Sequence, residues 1–430
     1  MKVVVIGLGF SGLRAAALLE SAGVQVEMYE ARGRPGGRMH CVDEGDGVMY
    51  EAGGEWIDSE HHRCMALLRE YRLEPDPRAH WPQKLVFKGK QTTEHLMWND
   101  ALEDDLRVEA AARELCRDLD NPPWENTECE ELDHRTLDEF LREHTSSERG
   151  LWWVTAKNRS EKGDDPERLG LLGWLAGYVN RTDREGDVVN AHRIPGGSRH
   201  LAERMLSRLK GDVQFGAVLT RIRQSGDVVK LVFEDGTAEA DKVLITAPPR
   251  CLERIVFEPA LNVAKRCAVE ACETSRAVKI AWHFSHPWWR EEEEWDGSML
   301  SDTAIQQTWD SSLGDAAVLT AYVCGEQAVK WGGLGDPVSA GLYELGQIFP
   351  AARQQFVRGW YHDWQRDPYS RGAFSHWAPG YVMEHMKYMA PPEGRIFFAG
   401  EHTSVWGGYL EGALESAERA VREILGLAGR

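Results

Sequence analysis

The feature that most narrows the fold is a glycine triplet near the start of the chain, Gly7-x-Gly9-x-x-Gly12, set between two kinds of periodicity. Before it, Val3-Val4-Val5-Ile6 is a continuous apolar run, the pattern of a parallel strand covered on both faces. After it, Leu13, Ala16, Ala17 and Leu19 recur at helical spacing and can face that strand, and Gly23 ends the helix. A second strand over residues 24–30 closes on Glu30. Glycines in this context let the backbone turn tightly, approach a pyrophosphate and pack helix on strand, while the helix amino terminus offers amides and dipole to the phosphates. Glu30 stands where a carboxylate accepts ribose hydroxyls. The expectation is an α/β fold with a Rossmann-like, dinucleotide-binding domain.

Proline and glycine divide the rest. Pro75, Pro77, Pro195-Gly196-Gly197, Pro248-Pro249 and Pro391-Pro392 mark breaks. Helices are predicted at about 60–72, opened on the surface by His61-His62, and over 99–118. A β-rich stretch follows, with one strand over 213–222, another over 228–233, a hairpin turn at Glu234-Asp235-Gly236 and a strand over 242–246. Residues 290–294 read as a charged, solvated loop. The pattern suggests interleaving: a nucleotide-binding domain from 1–76, 186–261 and 389–430, and a mixed α+β substrate domain from 77–185 and 262–388.

Composition removes several function classes. With 50 Lys and Arg against 69 Asp and Glu the net charge is -19, which argues against nucleic acid as a partner. Eight cysteines without a CxxC pair read as reduced thiols, and fifteen histidines show no ligand spacing, so no metal site is expected. Neither a signal peptide nor a bilayer-length apolar run is visible, which predicts a cytoplasmic protein with no membrane partner. Seventeen Trp suit a core, as Trp152, Trp153 and Trp174 on helical patterns suggest, or a pocket for an apolar or aromatic ligand.

The residues after Glu30 distinguish the cofactor. Arg32-Gly33-Arg34-Pro35-Gly36-Gly37-Arg38 adds a second glycine turn with arginines, and Gly53-Gly54-Glu55-Trp56 a third. With Gly400-Glu401-His402-Thr403, Trp406 and Gly408-Tyr409-Leu410-Glu411-Gly412-Ala413 at the far end, the chain resembles the flavin-containing amine oxidase family of monoamine and polyamine oxidases. The resemblance implies FAD, held by Gly7, Gly9, Gly12, Glu30, Arg32, Gly37, Arg38, Gly54, Glu55, Val218, Gly400, Glu401 and Leu410. It implies further that Lys279 holds a water at the flavin N5 and that Trp364 contacts the flavin. Phe374 and Tyr409 match the family's facing aromatic pair, and the segment around Phe374 is similar to bacterial enzymes of the 6-hydroxynicotine oxidase kind.

The departures also imply something. Ala373 matches the position at which monoamine oxidases carry a flavin-linking cysteine, so the FAD is expected to be non-covalent. Among the residues matched to the reacting centre no carboxylate is apparent, which implies an amine that binds neutral. The expected reaction passes a hydride from the substrate C–N unit to flavin N5, with O2 reoxidising the flavin to give H2O2. The alternatives are a C–C desaturase, an L-amino-acid oxidase, whose arginine motif finds no counterpart, and a non-catalytic escort protein of the same fold. Oligomeric state is left open, a homodimer being one option.

Overall fold

The computed structural model describes residues 1–77, 83–94, 97–117, 119, 122–126, 129–181, 191–291 and 295–427. Residues 292–294 of the predicted charged loop and the boundary at 185/186 lie outside them. The fold is α/β, organised around a five-stranded parallel sheet. Strand Lys2–Ile6 is central, with Gln25–Glu30 and then Asp212–Phe215 on one side, and Lys242–Ile245 and then Ile396–Phe398 on the other. Both faces of the central strand are covered, which is why its apolar run is unbroken: Val3, Val4 and Val5 are fully buried. Val3 and Val5 pack with Leu13 and Ala16 of helix Phe10–Ser21 and with Leu414 and Ala417 of helix Leu410–Leu425. Val4 and Ile6 face the opposite layer, with Val229 and Leu231. Full burial of such side chains contributes about 1.5–3 kcal/mol each. Of the predicted sheet-facing residues, Leu13, Ala16 and Leu19 are buried, whereas Ala17 is half-buried and Ala15 takes its place.

The predicted strand over 213–222 is two strands in two sheets. Asp212–Phe215 extends the parallel sheet, while Leu219–Ser225 pairs with Val228–Phe233 in a four-stranded sheet that also holds Gly236–Ala240 and Val256–Glu258. The break falls at Gly216, whose φ of 73° turns the chain between the layers. Alternating apolar residues continue through the corner, so periodicity alone does not reveal it. The hairpin forms with Phe233 paired to Gly236.

A seven-stranded sheet forms the second layer. Its strand Ala277–Phe284 lies antiparallel between Ala317–Cys324 and Phe356–Asp363. Val278, Ile280, Trp282 and Phe284 on one face join Trp289, Leu319 and Trp331 in an aromatic-rich core. The alternate face carries Lys279, whose register partners are Tyr322 and His362, and Tyr322 in turn pairs with Gln307. Cross-strand partners share a face, so these residues form one row toward the parallel sheet. The predicted helices run His62–Glu70 and Asn99–Cys116, and Trp153 and Trp174 lie in a core cluster. No disulfide is formed among the described residues. Among the described residues there is no metal-binding cluster, and no helix is long and apolar enough to cross a membrane.

Candidate active site

Both ends of the chain and the two large sheets converge on one cleft. It encloses about 1970 Å³ of empty space, open solvent at its mouth included. Its lining runs from the glycine turns at Gly7 and Gly37 to Phe374 and Tyr409. Every residue in the sequence-derived set lines it except Gly12. Gly12 lies just behind, where a Cβ would sit 1.9 Å from the Gly7 carbonyl oxygen, so its lack of a side chain lets the helix press on the turn.

At the nucleotide end two glycine turns stack: Gly7 has φ of 92°, and a Cβ on Gly37 would lie 3.1 Å from the Gly9 Cα. Gly9 caps helix Phe10–Ser21 with no side-chain hydrogen bond, and the first turn carries no acid. That helix end therefore offers its amides to an anion. Glu30 is buried, and its two oxygens already accept from the Leu8 N–H at 2.7 Å and the Arg32 N–H at 2.9 Å. A carboxylate has about four lone-pair sites, so it can tie the two turns together and still accept from a ligand. Val218 reaches the cleft from the corner after Gly216.

Between the two ends, charged side chains are held by partners. Arg32 donates to Asp367 at 2.5 Å and to Ser370 at 2.7 Å. Arg38 donates to Glu401 at 2.7 Å and to the Ala373 carbonyl at 3.1 Å. Glu401 also accepts from the Gly408 N–H at 2.7 Å and from the Ser375 hydroxyl. Burial pushes the Glu401 carboxyl up, but Arg38, His402 and these donors outweigh it and hold it below the usual carboxylate range. Gly54 and Gly400 leave the backbone close to the cleft, Gly400 with φ of 126°. Leu410 begins helix Leu410–Leu425, whose cap residue Tyr409 makes no side-chain cap, so a second helix amino terminus opens here.

At the far end the geometry departs from expectation in three places. Lys279 is buried, and Nζ donates to the carbonyls of Glu51 at 3.1 Å and Gly53 at 2.8 Å and to Glu55 at 3.1 Å. An ammonium has three donors, and three protein acceptors meet them, so the lysine is not a solvated strand residue. Glu55, expected on the cofactor, lines the cleft but directs its carboxylate to Lys279, to Arg193 at 2.5 Å, and to Trp309 and Ser311. Burial raises that carboxyl, and Arg193 and Lys279 overcome it, keeping it below the ordinary range. The third departure is Glu161, a carboxylate at the aromatic pair: it accepts from the Tyr409 hydroxyl at 3.2 Å and pairs with Lys162 at 2.7 Å.

Trp364, Phe374 and Tyr409 all line this cleft. Trp364 is buried, donates to the Ala52 carbonyl at 2.8 Å and stands 4.3 Å from the His362 ring. Phe374 and Tyr409 both line the cleft, and a Cβ on Gly408 would lie 3.0 Å from the Phe374 ring, so that glycine makes the room between them. His61, expected on the surface, is buried with its ring 5.2 Å from Tyr409, while its neighbour His62 is exposed. Arg193, Glu161 and Tyr322 were absent from the sequence-derived set. Tyr322 is recognisable only from its register with Lys279, and Arg193 and Glu161 had no local motif.

The glycine turns, the two open helix ends and Glu30 fit a dinucleotide such as FAD. A model of flavin-containing amine oxidoreductases matches residues 10–425. The flavin-containing amine oxidase B of Canis lupus familiaris is 26% identical over 460 residues, covering 100% of this chain and 86% of the relative. A putative L-amino-acid oxidase of Bacillus subtilis is 26% identical, covering 98% of this chain and 94% of its own length. Two solved structures share the fold. Putrescine oxidase with putrescine bound has a TM-score of 0.89 at 21% identity over 99% of both chains. Cyclohexylamine oxidase from Brevibacterium oxydans has a TM-score of 0.88 at 23% identity, covering 100% of this chain and 99% of the other.

Proposed function

The chain belongs to the flavin-containing amine oxidoreductase family, and from that premise we propose that its cleft holds FAD without a covalent link and oxidises apolar or aromatic amines between Phe374 and Tyr409. It is an FAD-dependent amine oxidase. When bound, FAD supplies the two-electron acceptor for the substrate C–N unit and passes the electrons to O2, giving H2O2.

The protein's own part is position and electrostatics. Glu30 and the glycine turns hold the nucleotide, and Arg38 with Glu401 braces the segment that carries Ala373 and Phe374. Ala373 offers no sulfur at the cleft wall, which supports non-covalent binding. Lys279 acts as a positioning residue. It fixes the Gly53-Gly54 turn through the Gly53 carbonyl and keeps a positive charge on the cleft floor, balanced by Glu55. Trp364, Phe374 and Tyr409 supply apolar walls that exclude water from the reacting nitrogen. The observation that carries the substrate reading is the charge at this end: Glu161 is neutralised by Lys162, so neither is a free counter-ion for a charged substrate. Lys162, held by Glu161, is the only lysine or arginine among the described residues lining the cavity behind the aromatic pair, which favours a neutral amine over an amino acid.

The division into domains at 1–76, 186–261 and 389–430 against 77–185 and 262–388 is supported by the sheets, since among the described residues the five-, four- and seven-stranded sheets each draw strands from one set alone. Cysteines that form no disulfide among the described residues support a reducing, cytoplasmic setting. The test is aerobic H2O2 release across aromatic and alkyl monoamines, polyamines and L-amino acids. Turnover led by apolar monoamines supports the reading, and turnover led by L-amino acids overturns it.

A further inference from the structure

Phe374 and Tyr409 come from separate segments of the chain, and one element touches the back of both. Helix Glu148–Lys162 ends in Glu161, Lys162 and the cap Gly163, while Ser160 one residue earlier lines the main cleft. Gly163 has φ of 68°, the left-handed conformation that closes a helix. A Cβ there would lie 2.7 Å from the tip of the Phe374 ring and 3.1 Å from the Tyr322 hydroxyl, so the ring rests directly on backbone. Ser275 holds the same contact from the other side. Its hydroxyl donates to the Lys162 carbonyl at 2.7 Å, and its N–H donates to the Phe374 carbonyl at 2.7 Å. Phe374 is thereby tied to the end of the helix.

Tyr409 meets the same turn through its hydroxyl, which donates to Glu161 Oε1 at 3.2 Å. That oxygen is held in turn by Lys162 at 2.7 Å, and the Lys162 ammonium stands 5.5 Å from the centre of the Tyr409 ring. The tyrosine backbone is fixed as the cap of helix Leu410–Leu425, so anchoring the far end of its side chain fixes the tilt of the ring. The two walls therefore share one frame: Gly163 sets where Phe374 stops, and Glu161 sets how far Tyr409 leans. A displacement of about 1 Å at a reacting centre can cost about a hundredfold in rate. We infer that Glu161 is a positioning residue for the amine reaction, acting through the Tyr409 hydroxyl to set the gap between the aromatic walls. Such a role needs the oxygen of Glu161 and not its charge, which separates it from that of a counter-ion. The inference rests on the reading of Phe374 and Tyr409 as the reacting end.

The experiment follows anaerobic flavin reduction in the holoenzyme by stopped flow, with phenethylamine or whichever amine of the panel reduces it fastest, and resolves the limiting rate from the apparent Kd. Glu161→Ala is expected to lower the limiting rate about tenfold or more and to change the Kd less than about threefold. Glu161→Gln keeps an oxygen for the phenol and restores most of the rate. Tyr409→Phe loses rate to a similar degree, and in that background Glu161→Ala costs less than about twofold more, because the hydroxyl it holds is already gone. An unchanged rate in Glu161→Ala, a Glu161→Gln as slow as Glu161→Ala, or an equal loss with and without the Tyr409 hydroxyl overturns the inference and leaves the amine reading intact. An unaltered holoenzyme whose flavin no amine of the panel reduces refutes the reading of the reacting end, and the inference falls with it.

Discussion

Replacing Lys279 by Met keeps the length of the side chain and removes three donors together with the charge. In the structure those donors meet the Glu51 and Gly53 carbonyls and Glu55. A buried acceptor left without its donor costs about 1–3 kcal/mol, and breaking a buried ion pair outright about 3–5 kcal/mol. Glu55 keeps Arg193 at 2.5 Å along with Trp309 and Ser311, so the lower part of that range applies. A net loss of about 3 kcal/mol is expected. At about 2 cal/mol/K per residue the unfolding entropy of this chain is roughly 0.9 kcal/mol/K, so Tm falls by about 3 °C. The same variant loses the cation on the cleft floor, and a preorganised group of this kind is worth a factor of about 10²–10³ in rate. Thermal melts of the FAD-saturated protein read the first effect. Stopped-flow traces of reduction by amine and reoxidation by O2 read the second. A Tm and both rates equal to the unaltered protein's would refute the reasoning; a lowered Tm with unchanged rates would leave the lysine a structural role alone.

Glu30→Ala is expected to reduce FAD retention on dialysis by tenfold or more, because charge-assisted hydrogen bonds contribute about 1.5–3 kcal/mol; unchanged flavin content would place the ribose elsewhere. Acid precipitation should release all flavin into the supernatant, since Ala373 has no thiol, and flavin in the pellet would contradict this. Flavin reduction should accelerate with rising pH through the ionisation of the bound amine, because among the described residues the carboxylate at the Phe374–Tyr409 end, Glu161, is paired with Lys162; a flat profile would count against it. Burial pushes the Glu51 carboxyl up from 4.5 to about 7. Between those values the unfolded chain has released a proton that the folded chain keeps, so stability falls as pH rises through that window, by up to about 3 kcal/mol, and levels above it. Glu51→Gln should flatten this slope in a melting series, and parallel curves for the two proteins would refute the assignment.

How much of the fold is legible in the sequence depends on how local the constraint is. The glycine turn at Gly7, the strand ahead of it and the acid at Glu30 are short-range demands of backbone conformation, and they lie as expected. Phe374 and Tyr409 were identified through resemblance, and the fold brings them to one cleft although 35 positions separate them. The Lys279–Glu55–Arg193 cluster was not legible, because its members come from two distant strands and the turn after Gly53-Gly54, and meet only when the sheets pack. Glu161 was missed for a similar reason: it ends a helix whose surface pattern carries no sign that Tyr409 lies beside it. The division of residues 213–222 between two sheets rests on Gly216 alone, one glycine in an otherwise continuous pattern.

The most direct test of the account is an anaerobic titration of the purified yellow holoprotein with phenethylamine, followed by admission of air. The account predicts stoichiometric loss of the oxidised flavin spectrum, then its recovery with one H2O2 released per flavin. A flavin that stays oxidised under excess phenethylamine and under every other amine of the panel would contradict it.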